Sequence, residues 1–276
     1  MAFQSQNPRS PIERYLALRM ALCLFIALLA AGSTSSHAND IVNPPLSTGP
    51  TSELHIGRLV FDVHPGASWG PGRPWWRIDW PEAEFHFTNG VKRYTSVEVE
   101  SDSVHLSLRD DAIFDYPFIF AQQVGRWQMS DAEAATLGEY LRRGGFLIVD
   151  DFHGPYQWEV FNQAIARALP GHAVENIDFD DTSLAIQYPM DQQTQIPGRR
   201  HIMGFENDGD AIVRMPHSPP RWRGIHDDQG RLMVVINFNM DMGDAWEHAD
   251  DPSYPNTMTS FSYRLGINYL IHAMTH

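Results

Sequence analysis

The chain has 276 residues, 43% of them hydrophobic, which suits one large domain with a proper core and excludes a disordered chain. Its net charge of −14 opposes binding to nucleic acid or to an anionic membrane face and favours cations, sugars or basic partners. The single cysteine, Cys23, leaves no disulfide to form within the chain.

Arg14 and Arg19 precede an apolar run from Met20 to Ala31, and Ser36-His37-Ala38 offers small residues for a cleavage site. The run is well short of the ~20 residues that a spanning helix needs, so residues 1–38 read as a secretory signal peptide cut before Asn39. Cys23 lies inside this segment, so the mature chain is expected to lack any thiolate metal ligand or cysteine nucleophile. Residues 1–38 carry Arg9, Arg14 and Arg19 against Glu13, which leaves about −16 on the mature chain. Export without disulfides fits a bacterial periplasm, with no membrane insertion after cleavage.

Residues 39–53 are rich in Pro, Ser, Thr and Gly and read as a linker; residues 54–276 read as one domain. Leu54 to Val63 is a first strand, followed by a loop carrying Trp69, Arg73, Trp75, Trp76 and Asp79. A helix is expected from Pro81 to Phe87, with Asn89-Gly90 as its exit. Val104–Leu108 and Phe118–Ala121 are short strands. Ser130-Asp131-Ala132-Glu133 is a capping box that opens a helix striped by Ala134, Leu137, Tyr140 and Leu141. Gly144-Gly145 ends that helix, and Phe146 to Val149 is a strand without polar alternation, hence buried on both faces in a parallel sheet. A helix from Gln157 to Leu169, a turn at Asp227–Gly230, a strand at 232–236 and a last helix from Thr259 to Met274 complete an α/β pattern.

Two of these strands run out into acid. Asp150-Asp151-Phe152-His153 follows the first, and Asn239-Met240-Asp241-Met242-Gly243-Asp244 follows the second, with Glu247 and His248 beyond. Ligands of open α/β sheets bind beyond the carboxyl ends of the strands. The candidate ligand-binding residues are therefore Asp150, Asp151, His153, Asn239, Asp241, Asp244 and Glu247, with Trp75, Trp76 and Asp79 from the loop after the first strand. Adjacent carboxylates point in different directions, so at most one of Asp150 and Asp151 need face the site; the other is open to a capping role. A helical turn from Gly243 would put Asp244, Glu247 and His248 on one face. No cofactor is firmly implied, but Asp151, Asp241, Asp244 and His248 form a donor set that admits a divalent metal. The same acids at a helix start also suit the helix dipole. Exposed Trp beside Arg and Asp suits sugar rings or a peptide, while aromatics equally cover sheet edges. Gly66-Ala67-Ser68-Trp69-Gly70 matches a nucleophile elbow, but prolines on both sides deny it the strand and helix it requires. His201, His217 and His226 have no ligand spacing and read as structural or solvated.

Several ordered segments resemble one bacterial family. They are Trp80-Pro81-Glu82-Ala83-Glu84, Phe114-Asp115-Tyr116-Pro117-Phe118, Tyr140 through Leu147, Gln195-Ile196-Pro197-Gly198, Asn239 through Glu247, and Gly266-Ile267-Asn268-Tyr269. Together they are similar to the family catalogued as domain of unknown function 4159. The resemblance implies a flavodoxin-like fold, similar to class I glutamine amidotransferases, and assigns no activity. Amidotransferase chemistry needs a cysteine, which the expected mature chain lacks. Some relatives sit beside ATPase and von Willebrand-type modules on membrane-anchored chains, which implies an envelope setting. Relatives commonly carry a His-Pro pair where Thr182-Ser183 stand here. The expected function is an exported module that binds a small molecule, saccharide or protein of the cell envelope. The alternatives are a metal-dependent hydrolase of an envelope polymer and an assembly module docking through the Trp loop.

Overall fold

The computed structural model describes residues 52–67, 74–182, 184–203 and 222–276. The expected signal segment, the linker up to Thr51, Ser68, Trp69, Arg73, Ser183 and His217 lie outside them. A seven-stranded sheet forms the centre, with strands β1 (Leu54–Val60), β3 (Val99–Ser107), β4 (Phe118–Gln122), β6 (Phe146–Phe152), β7 (Glu175–Ile177), β8 (Trp222–His226) and β9 (Leu232–Phe238). Its order is β3-β1-β4-β6-β9-β8-β7; the first five are parallel, and β8 and β7 extend the sheet antiparallel. Counted among the parallel strands alone, the order is the 2-1-3-4-5 of a flavodoxin-like doubly wound sheet. Two short strands, β2 (Asp62–Val63) and β5 (Trp127–Gln128), pair as a separate antiparallel ribbon. The first strand therefore ends at Val60, short of the expected Val63, because Asp62 and Val63 leave to pair with Gln128 and Trp127.

Helices cover both faces. On one, α1 (Glu82–Tyr94), α5 (Met242–Glu247) and α6 (Asn256–Thr275) pack on Phe120, Phe146, Ile148 and Val235. On the other, α2 (Asp131–Arg142) and α3 (Gly154–Ala168) pack on Ile119, Leu147, Val149 and Ile236. Alternate residues of β6 thus feed opposite cores, which is why its sequence shows no polar alternation. The capping box forms as expected: the Ser130 side chain accepts from Glu133 N, and the Glu133 carboxylate accepts from Ser130 N. α1 runs well past Asn89-Gly90. Gly90 is a packing residue there, since a Cβ on it would sit 2.3 Å from the Tyr263 ring. A short helix α4 (Arg199–Met203) follows the Gln195–Gly198 segment. Among the described residues no helix is long and apolar enough to cross a membrane.

Candidate functional site

Backbone geometry separates the two aspartates at the end of β6. Gln122 pairs with Asp150, and the β6–β9 register then shifts between Val149 and Phe152. Within that irregularity Asp151 takes φ 51°. Such a bulge re-aims a side chain next to a site. The Asp150 carboxylate turns inward, and its Oδ2 accepts from the amides of Met242 and Gly243 at 2.8 and 3.0 Å. It thereby caps α5, a helix some ninety residues away, rather than the α3 that follows it. Asp151 turns the other way; its Oδ1 lies 3.0 Å from His153 Nε2, and its Oδ2 accepts from Gln123 Nε2.

Four described non-glycine residues have left-handed backbones: Asp79, Gln123, Asp151 and Asn239. Gln123, Asp151 and Asn239 sit at the carboxyl ends of β4, β6 and β9, and Asp79 just precedes α1. Strained conformations concentrate at functional sites and persist only when surroundings hold them. Each of the four is held. The Asp79 carbonyl accepts from Ala83 N, Gln123 N donates to Asp150 O, and Asn239 N donates to Phe152 O. The Asn239 side chain accepts from Gly154 N at 3.0 Å, so Asn239 ties β9 to the start of α3.

A buried relay fixes Asp79. Arg58, at the centre of β1, is fully buried and grips Glu84 of α1 through Nε–Oε1 at 2.5 Å and Nη2–Oε2 at 2.7 Å. Its Nη1 donates to Gln122 Oε1 at 2.6 Å, and Gln122 Nε2 donates to Asp79 Oδ2 at 2.5 Å. Gly243 makes room for this contact, since a Cβ there would lie 1.7 Å from Gln122 Nε2 and 2.5 Å from Asp79 Oδ2.

The second strand exit brings the remaining acids. Asp241 is 3% exposed and caps α5 through Oδ1, which accepts from Asp244 N at 3.0 Å. Its Oδ2 faces the Gln195–Gly198 segment: a Cβ on Gly198 would lie 2.6 Å from Asp241 Oδ2, 3.0 Å from Asp244 Oδ2 and 3.2 Å from His201 Nδ1. That segment is strapped down. Asp241 N donates to Ile196 O, Gln195 Nε2 donates to Asn239 O at 2.6 Å, and Tyr254 Oη donates to Pro197 O at 2.7 Å. Arg199 N adds a bond to Asp244 Oδ2 at 2.6 Å.

Three overlapping donor groups result. Asp79, Asp241 and Asp244 each place an oxygen within 4.8 Å of the others, as do the donor atoms of Asp151, His153 and Asp241, and those of Asp244, Glu247 and His248. Asp241 and Asp244 each belong to two groups. Among the described residues, the ion-pair partners of these acids are histidines, namely His153 for Asp151 and His248 for Asp244 and Glu247. Burial, with Asp244 and Asp151 close by, pushes the Asp79 carboxyl well above its ordinary value. Burial and the charges of Asp151, Asp244 and Asp79 do the same to Asp241, and burial raises Glu247. Burial lowers His201 to about 4, aided by His153, whose ring centroid is 5.2 Å away, so His201 is a neutral imidazole at pH 7.

Asp150 is pushed up to about 8, with burial outweighing its two amide bonds. A carboxyl raised on folding binds a proton that the unfolded chain has released. Stability therefore falls as pH rises from the ordinary carboxylate value towards about 8, and then levels. Asp79, Asp241 and Glu247 act in the same direction. Chelator-treated protein should lose on the order of 1 kcal/mol per pH unit through the Asp150 proton between pH 5 and about 8. Asp150→Asn keeps the cap acceptor without the proton, so its urea-denaturation stability should fall more shallowly by about one proton; an identical slope would contradict the assignment.

The sequence-expected residues divide accordingly. Asp79, Asp151, His153, Asp241, Asp244, Glu247 and His248 come together. Asp150 and Asn239 brace the backbone beside them. Trp75 is 5% exposed beneath the Arg126 guanidinium, 4.2 Å from its ring, and half-buried Trp76 packs edge-on against His105. Both rings pack against neighbouring side chains here. Arg126 in turn donates to Gln123, which links Trp75 indirectly to Asp151. His201, expected to be structural or solvated, stands beside Gly198 and His153. No spacing signalled it; only its place three residues after Gly198, itself opposite Asp241, puts it there.

The family pattern described as Domain of unknown function (DUF4159) matches residues 66–274. The chain belongs to this family. The match takes in Asp79, Asp150, Asp151, His153, His201, Asp241, Asp244, Glu247 and His248, together with the Gln195–Gly198 strap and the Asn239–Glu247 segment. No curated protein matches the chain. The DUF4159 description carries no activity, so the chemistry rests on the site itself.

Proposed function

We propose that this DUF4159 chain is an exported ligand-binding module whose acidic crevice holds a divalent cation. The observation that carries the reading is the convergence of Asp79, Asp241 and Asp244, with oxygens within 4.8 Å of one another and no lysine or arginine ion pair to them among the described residues. Like charges this close and this buried repel, and a dication bound between them removes the repulsion. Oxygen donors suit magnesium, calcium or manganese, and His153, His201 and His248 on the flanks extend the range to zinc. Gly198 supports the same reading, because its missing side chain leaves space beside two carboxylates and an imidazole. A cation held there offers open positions to an oxygen-rich ligand such as an envelope saccharide. Export rests on the apolar Met20–Ala31 run and the Ser36-His37-Ala38 site.

A second reading, a metal-dependent hydrolase of an envelope polymer, draws on His201. A neutral imidazole beside a metal centre is fit to take a proton from a bound water.

Melting of chelator-treated protein with and without manganese tests the first reading. At about 100 times the dissociation constant, binding adds ~2.7 kcal/mol, or roughly 5–10 °C for a domain of this size. No shift with manganese, calcium, magnesium or zinc removes both readings. A shift together with turnover of a peptidoglycan or glycan substrate, lost in His201→Gln, selects the hydrolase.

A further inference from the structure

A second cleft, of about 540 Å³, lies between α1, α6 and the segment after α5, and neither reading above uses it. Its size falls in the range of small-molecule sites. Its walls come from Tyr94, Tyr188 and Tyr263, with Arg93 and Arg264 beside them.

Two of these walls, Tyr263 and Tyr188, are fixed in advance. The Tyr263 ring packs on Gly90, and its hydroxyl donates to His86 O at 3.0 Å. Tyr188 is clamped by fully buried Asn268. The Asn268 Oδ1 accepts from Tyr188 N at 2.9 Å, while its Nδ2 donates to Tyr188 O at 2.8 Å and to Leu184 O at 2.5 Å. Tyr188 Oη reaches Tyr94 O at 3.4 Å. The Gly266-Ile267-Asn268-Tyr269 segment thus serves this cleft: Asn268 holds one wall and Ile267 lines it. Preformed walls lower the cost of binding.

The charge is of the opposite kind to that of the acidic crevice. In a chain of net charge −14 this cleft is lined by two arginines against a single aspartate, Asp250. Among the described residues neither guanidinium has an ion pair; Arg93 lies over the Tyr94 ring at 5.6 Å and Arg264 over Phe261 at 5.5 Å. Guanidinium groups match carboxylates in planar, paired hydrogen bonds, and tyrosine faces take the C–H faces of pyranose rings. Asn89, Asn256 and Ser260 add side chains that bond hydroxyls at the rim.

We propose that the cleft formed by Arg93, Arg264, Tyr94, Tyr188 and Tyr263 binds a carboxylated saccharide of the uronic-acid class. The arginines take the carboxylate and the tyrosines take the ring.

Calorimetric titration of the protein with digalacturonate, maltose and acetate tests this. Chelator is kept in the buffer, so that a cation in the acidic crevice contributes nothing and failure here is distinct from failure there. Digalacturonate should bind saturably, maltose at least tenfold more weakly, and acetate not measurably. Arg93→Gln and Arg264→Gln, each melting as the parent does, should each weaken digalacturonate fivefold or more. Should Arg264 be needed for packing on Phe261, the exposed Arg93 variant alone carries the test. Equal binding of maltose and digalacturonate, acetate binding as tight as digalacturonate, no binding of digalacturonate, or unchanged affinity in the arginine variants would overturn the proposal.

Discussion

Replacing Arg58 with methionine should cost about 3–5 kcal/mol of stability, the penalty for leaving a buried carboxylate without its partner. Glu84 is 1% exposed and has both carboxylate oxygens on the Arg58 guanidinium. With Arg58 gone, Glu84 must stay charged in an apolar setting or bind a proton, and Gln122 Oε1 loses its donor. The melting temperature should fall by roughly 6–20 °C. The double replacement of Arg58 and Glu84 by methionine should recover much of the loss, since an apolar pair of similar volume often substitutes for a buried ion pair without penalty. The relay adds a functional consequence. Gln122 holds Asp79 Oδ2, so the double variant should still bind cation more weakly than the parent although its fold is restored. A single variant that loses less than about 1 kcal/mol would show that the pair does not brace the site.

The second large effect is expected at Asp241, a buried acid that belongs to two donor groups. Asp241→Asn keeps the oxygen that caps Asp244 N, so the helix start should survive. It also removes one charge from a cluster in which Asp151, Asp244 and Asp79 all push the Asp241 carboxyl upward. Metal-free stability at pH 8 should therefore stay level or rise by about 1 kcal/mol, against the usual trend for a buried substitution. The manganese-induced shift in melting temperature should vanish. Loss of 2 kcal/mol or more in the metal-free state would show that the Asp241 carboxylate stabilises the fold, against the repulsion expected here, and an unchanged manganese shift would contradict the binding role.

What the sequence reveals here is what is local. The Ser130 capping box, the Gly144-Gly145 stop and the unalternated Phe146–Val149 strand each encode their own geometry within a few residues, and each forms as read. Acid at two parallel strand exits signals that Asp151, Asp241 and Asp244 come near one another, because the doubly wound topology puts those exits on one edge. Long-range packing was not legible. Gly90 reads as a helix stop, yet it sits mid-helix because Tyr263, far along the chain, occupies its missing side chain. Arg58 and Glu84 are 26 residues apart, and Arg58 and Gln122 64 apart, so no spacing announces their relay. Asp150 looks equivalent to Asp151, and only the bulge in β6 sends the two carboxylates to different tasks. His201 enters the site through the Gln195–Gly198 strap, whose hold on Asn239 and Asp241 is tertiary.

The carboxylates of Asp79, Asp241 and Asp244 are proposed to share a dication. Titration of chelator-stripped protein with manganese by calorimetry, in two buffers of different ionisation enthalpy, reads binding and proton release together. Saturable binding is expected, with release of protons that increases as pH falls, since the Asp79 and Asp241 carboxyls, raised by burial and neighbouring carboxylates, must give up their protons to the metal. An absence of binding heat in both buffers, or binding that Asp241→Asn leaves untouched, would contradict it.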